Sequence, residues 1–192
     1  MSKALSENFG FLDKLDDLTA VTTQADTTLT IWGHGDNKSL GGRSPELLAI
    51  ELRDKKLKDT SIKTIELLSC NPSIADNEDT MSYAEALARA VATLFKQRKV
   101  TVKTFPAATG KVSLLWYIYA IDEFIYFQAK DEETLSLVQG EVEKLSEWDA
   151  PMLRDILPKH FELLRKQRGL EYKRGHISQL RSMLVPVAGA SY

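Results

Sequence analysis

The chain of 192 residues holds one cysteine, Cys70. An internal disulfide framework is thereby excluded, and so is any zinc or iron–sulfur site built from several thiolates. With three histidines and no Cys or His pair at ligand spacing, no metal site is expected. A long apolar run is also missing. The strongest stretch, Val112 to Phe127, is broken by Asp122 and Glu123, well short of the roughly 18–20 apolar residues of a spanning helix, so no membrane span is expected. The first eight residues carry one Lys and no apolar h-region. That points to a cytoplasmic protein, or to one exported without a general secretory signal. No charge of one sign dominates: the formal net charge of -2 gives no pull toward nucleic acid or acidic lipid. Repeats, low-complexity tracts and Pro- or Ser-rich linkers are lacking as well.

What is present is ordinary for a folded chain. Hydrophobic residues make up 43% and charged residues 27%, enough to build a core and too apolar for disorder. Phe11, Leu12, Leu15 and Leu18 at helical spacing predict a short helix over 9–18. Leu29-Thr30-Ile31-Trp32 predicts a buried strand that empties into Gly33-His34-Gly35-Asp36 and a glycine-rich loop to Arg43. Ser44-Pro45-Glu46 supplies an N-cap, a first-turn proline and a first-turn acid for a helix over 45–57. Ile62 to Leu68 forms a second buried strand, ended by Ser69-Cys70-Asn71-Pro72. Asp79-Thr80 then caps a helix whose stripe is Ala84, Leu87, Ala88, Val91, Leu94 and Phe95, and a third strand follows over 100–105.

Alternating strand and helix implies parallel strands, whose carboxyl ends are where ligands bind in such sheets. The apolar stretch 112–128 fits a hairpin or two edge strands with Ile121-Asp122-Glu123 as the turn. Beyond Lys130, Leu135, Val138, Val142, Leu145 and Trp148 mark helix, and the rest of the chain reads as helical. Charge is segregated there: residues 122–149 hold nine acids and two bases, 151–181 eight bases and three acids. Solvated helical faces that pair with one another account for this, and a polarised docking surface is the alternative. His160, His176 and the three tryptophans fit structural positions.

Chemistry is expected at two strand ends. His34 closes the first buried strand and Cys70 the second, an arrangement that sets an imidazole beside a thiol. An ordinary thiol has a pKa near about 8.5 and is mostly unionised at neutral pH. A neighbouring imidazole takes its proton and later protonates the leaving amine. Backbone N–H groups of Gly35 and Cys70 supply an oxyanion hole. Taken singly, a cysteine at a buried strand is more often a small core hydrophobe than a nucleophile, and a histidine after a strand more often caps a turn. Two other motifs fail: Leu68 and Pro72 stand where a nucleophile elbow needs glycine, and the 33–42 loop lacks the Gly-Lys-Ser/Thr ending of a P-loop.

The segments Thr28-Leu29-Thr30-Ile31-Trp32-Gly33-His34-Gly35, Gly42-Arg43-Ser44-Pro45-Glu46-Leu47-Leu48-Ala49 and Ile65-Glu66-Leu67-Leu68-Ser69-Cys70 resemble the caspase-like cysteine peptidases. They look most like the self-cleaving cysteine protease domains of RTX and clostridial glucosylating toxins. Ser82-Tyr83-Ala84-Glu85-Ala86-Leu87-Ala88 and Val100-Thr101-Val102 extend the resemblance, which covers about residues 27–113. It implies a Cys70–His34 dyad, the Gly35 and Cys70 amides as oxyanion hole, and Asp26 as the nearest acid to orient the imidazole. It also implies a polyanion activator, inositol hexakisphosphate. Lys55, Lys56, Lys58, Lys96, Arg98 and Lys99 are the bases nearest to a patch for it, although runs of this size usually end solvated helices. No other cofactor is expected.

The expectation is therefore an α/β fold with a mostly parallel, caspase-like sheet over 1–128 and a helical part over 129–192. The expected function is a cysteine endopeptidase of toxin or effector type acting on its own chain or a protein partner. An inactive peptidase-like interaction protein that binds through its charged helices is the alternative, and another thiol transferase ranks third.

Overall fold

The structure is a computed structural model that describes residues 9–15, 18–23, 28–33, 35–54, 62–72, 75, 80–95, 99–106, 111–118, 123–145 and 156–187. The chain divides into two compact units, 1–107 together with 181–192, and 108–180. This division replaces the boundary expected at 128/129. The 112–128 stretch falls in the second unit, and the last residues return to the first.

The first unit is built on a six-stranded sheet in the order β1 (Phe9–Leu15), β2 (Leu18–Thr23), β3 (Thr28–Gly33), β4 (Thr64–Leu68), β5 (Thr101–Thr104) and β9 (Val185–Pro186). β3, β4 and β5 are mutually parallel, as the alternation of strand and helix predicts. β2 and β9 run antiparallel to their neighbours, so four of the six strands point one way. The helix expected over 9–18 is instead the β1–β2 hairpin. Its register shifts between Leu12 and Leu15, and such an irregularity breaks the alternation of two that would have marked a strand. The spacing left behind mimics a helix, while Thr19, Val21, Thr22 and Thr23 give β2 the β-branched content that strands favour.

Helices α1 (Pro45–Asp54) and α2 (Tyr83–Leu94) connect the parallel strands. Both pack into one core. Leu48, Ala49 and Leu52 of α1 and Leu87, Ala88 and Val91 of α2 meet Leu29, Ile31, Ile65, Leu67 and Val102 of the sheet. Ser44 caps α1 as expected: its Oγ accepts from Leu47 N at 3.2 Å, and its carbonyl from Leu48 N at 3.0 Å. The last three residues of the predicted 45–57 helix lie outside the described residues. For α2 the cap is Ser82 rather than Asp79-Thr80. Ser82 and Glu85 form a reciprocal capping box, which satisfies two amide donors that a helix start leaves exposed.

The second unit is a three-stranded antiparallel sheet in the order β6 (Val112–Ile118), β7 (Glu123–Ala129) and β8 (Glu171–His176), with α3 (Glu132–Leu145) and α4 (Glu162–Arg168). β6 and β7 pair from Val112↔Ala129 to Ile118↔Glu123, so the stretch is a hairpin and Glu123 belongs to the strand, not the turn. The portion after 129 is not wholly helical, since β8 pairs with β7 along its length. Ile125, Phe127, Ala129, Leu135, Val138, Val142, Leu157 and Phe161 form its core, and Trp116 packs against them. Phe127 and Phe161 meet edge to face at 5.4 Å, a geometry favoured by the ring quadrupoles. No helix among the described residues is long and apolar enough to cross a membrane.

Candidate functional site

The β3–β4 register pairs Trp32 with Leu68, so the two chains leave the sheet side by side at its carboxyl edge. Ser69 follows β4 and is buried, and Cys70 comes next, half-buried. Asn71 has φ 49°, a left-handed conformation that a side chain with local hydrogen-bonding ability tolerates best. It turns the chain sharply just after the thiol. The Pro72 carbonyl then accepts from Ala84 N at 2.8 Å, which ties the turn to the first residues of α2.

On the β3 side, Gly35 lies directly against Ser69. A Cβ on Gly35 would collide with Ser69 Oγ and would stand 2.8 Å from the Ser39 carbonyl oxygen. Glycine is therefore required by close approach of the two loops. Gly35 pairs with Leu40 in an isolated bridge whose hydrogen bond runs from Asp36 N to Ser39 O at 2.9 Å. That bond type does not use the N–H of Gly35 itself. Asp36 Oδ1 accepts from Lys38 N and Ser39 N, both at 2.7 Å, and closes the loop. Partial burial works to raise the Asp36 pKa, but these two amides and the Ser39 and Lys38 side chains outweigh it and hold the carboxyl below its ordinary value. Gly41 and Gly42, at φ 56° and 72°, let the chain reverse toward Arg43.

Arg43 donates to Glu51 Oε2 at 2.7 Å through Nε and to the Gly41 carbonyl at 2.6 Å through Nη1, bracing the loop against α1. Beside this pair, the Tyr83 side chain is 1% exposed and its hydroxyl has no hydrogen-bond partner among the described residues. Burial, and then the negative charge of Glu46, push the Tyr83 pKa far up, so the phenol stays protonated. Deeper in the same sheet, Glu66 is 3% exposed on β4. Its carboxylate accepts from Thr30 Oγ1 at 3.1 Å and from Arg181 Nε at 3.0 and 3.2 Å.

Of the residues singled out in the sequence, the structure brings Gly35 and the Ser69-Cys70 turn together. His34 and Asp26 lie outside the described residues. So do Lys55, Lys56, Lys58, Lys96 and Arg98, while Lys99 is exposed. No group of three His, Cys, Asp or Glu side chains able to hold a metal ion occurs among the described residues. Ser69, Tyr83, the Arg43–Glu51 brace and the Glu66–Arg181 pair escaped the sequence reading. A lone acid inside the apolar run 62–68 is itself a signal, because a buried carboxylate demands a partner. His160, expected at a structural position, has its Nε2 3.0 Å from Glu141 Oε2 and its ring against Phe161.

Comparison with protein-family models, with curated proteins and with solved structures found no match.

Proposed function

We propose that this chain is a cysteine endopeptidase in which Cys70 is the nucleophile and His34 its acid–base partner. One observation carries the reading: Gly35 is packed against Ser69 at the carboxyl ends of two adjacent parallel strands. Ser69 precedes Cys70, and Gly35 follows His34 in the chain. His34 and Cys70 each stand two residues beyond a paired position, Trp32 and Leu68.

In the proposed reaction the Cys70 sulfur adds to the scissile carbonyl carbon while His34 takes the thiol proton. The oxyanion is met by the Gly35 and Cys70 amides. Collapse breaks the C–N bond, and His34 delivers its proton to the leaving amine. Water then adds to the thioester with His34 as base, and the carboxylic acid departs as the thiol is restored.

The test is labelling of Cys70 by iodoacetamide across pH 5–9, in the wild type and in His34→Ala. Coupling predicts a labelling midpoint well below the ~8.5 of an ordinary thiol, returning to that value in the variant. Slow labelling that ignores His34 overturns the dyad. Gly35→Ala tests the carrying observation: the added methyl forces the two loops apart and abolishes peptide cleavage while the chain remains folded.

The inactive interaction protein keeps support from one feature of the second unit. A recess of about 390 Å³ is lined by Tyr126, Gln128, Arg165, Glu171, Tyr172 and Lys173, with two cations at an aromatic wall. If Cys70 labels as an ordinary thiol, this recess is where a partner is to be sought.

A further inference from the structure

The outer surface of the first unit carries a second feature, independent of Cys70. Between α1 and α2 runs a trough of about 410 Å³. Ile50 and Met81 form its apolar walls, and Ala86, Ala90 and Leu94 of α2 line it further. Ala86 and Ala90 are four apart and therefore adjacent on one helix face, where their small side chains keep the trough deep. Ile50 is 38% exposed, Met81 51%, and Leu47, one turn from Ile50, 46%. Two of the six exposed large apolar side chains among the described residues thus line this one trough, and a third, Leu47, lies a helical turn from Ile50 on α1. Scattered apolar residues need no account, but a contiguous group rimmed by polar ones marks a contact surface.

The rim identifies the occupant. Glu46 stands on the α1 side, where its carboxylate accepts from Ser44 Oγ at 3.0 Å, and Arg89 stands on the α2 side. A partner with one sign of charge would satisfy one of them and oppose the other. A surface that offers one acid and one base across an apolar strip is complementary to itself under a two-fold rotation, which sets Glu46 of each copy against Arg89 of the other. We infer that the α1–α2 trough is the docking surface for a second copy of this chain, in an isologous homodimer that buries Ile50 and Met81.

Sedimentation of the full chain over a range of concentrations tests this, with circular dichroism to verify that each variant is folded. The expected result is a reversible dimer. Ile50→Glu, at an exposed position, lowers the association constant at least about tenfold by placing charge in the apolar strip. Glu46→Arg and Arg89→Glu each weaken association about tenfold by setting like charges opposite one another. The double variant Glu46→Arg/Arg89→Glu restores it to within about threefold, because the reversed pair is again complementary. A chain that stays monomeric at every concentration overturns the inference. So does a dimer that ignores all three substitutions, or one that the double reversal fails to rescue.

Discussion

In the first unit Glu66 is buried on a central strand and held by Arg181 and Thr30; the second unit also buries one acid, Glu123 on β7, but leaves the acids of α3 at the surface. There the acids of α3 meet bases from later in the chain: Glu133 pairs with Arg168 at 2.9 Å and Glu141 with His160 at 3.0 Å. Within α3, Lys144 also reaches Glu141 at 2.8 Å. The segregated charge of residues 122–181 is thus resolved partly by pairing inside the unit. The lesson concerns what a charge does in each place. An exposed pair gains little against water and entropy, while a buried carboxylate stripped of its partner is costly.

Arg181→Met breaks that contrast most directly. It leaves the Glu66 carboxylate buried with one hydroxyl donor and should cost about 3 kcal/mol in urea denaturation. A loss under about 1 kcal/mol would mean that Glu66 is compensated by something other than Arg181. Tyr83→Phe moves stability the other way. Removing a buried hydroxyl that lacks a partner should raise stability by about 1 kcal/mol, and a loss of similar size would show that the hydroxyl is bonded in solution.

Asp36→Ala removes the acceptor that closes the loop after β3, at a cost of about 0.5 kcal/mol at neutral pH. Because the native Asp36 pKa lies below its unfolded value, this contribution is complete above the ordinary Asp range. It fades as the pH falls through the lowered native value, so denaturation curves of wild type and variant should converge in acid. A gap that persists unchanged in acid would show that the side chain acts through packing. Smallest of all, Arg168→Ala in the second unit should shift stability by no more than about 0.5 kcal/mol, and added salt should erase the difference.

The parallel heart of the first unit was legible because its signals are local. Ser44-Pro45-Glu46 opens α1 where the pattern places it, and the two apolar runs that end at Gly33 and Leu68 are β3 and β4. The juxtaposition of Gly35 with the residue before Cys70 follows from the parallel register, which strand–helix alternation already implies. The β1–β2 hairpin was not legible, since an irregular register scrambles the period that identifies a strand. β8 was hidden for another reason. Glu171-Tyr172-Lys173-Arg174-Gly175-His176 is an edge strand with little burial, so no apolar alternation announces it. Arg43 with Glu51, and Glu66 with Arg181, join residues that no local rule relates, and only the folded chain brings them together.

The return of residues 181–192 to the first unit sets an order of events during synthesis. β5 is finished at Thr104, yet β9, which covers its outer edge, and Arg181, which neutralises Glu66, are translated only after the whole of 108–180. At ribosomal speeds of about 5–20 residues per second, that interval is on the order of ten seconds. For that time the nascent first unit has an open sheet edge and an unneutralised acid in its interior. The second unit, continuous in the chain, has all its strands in hand before the first can close.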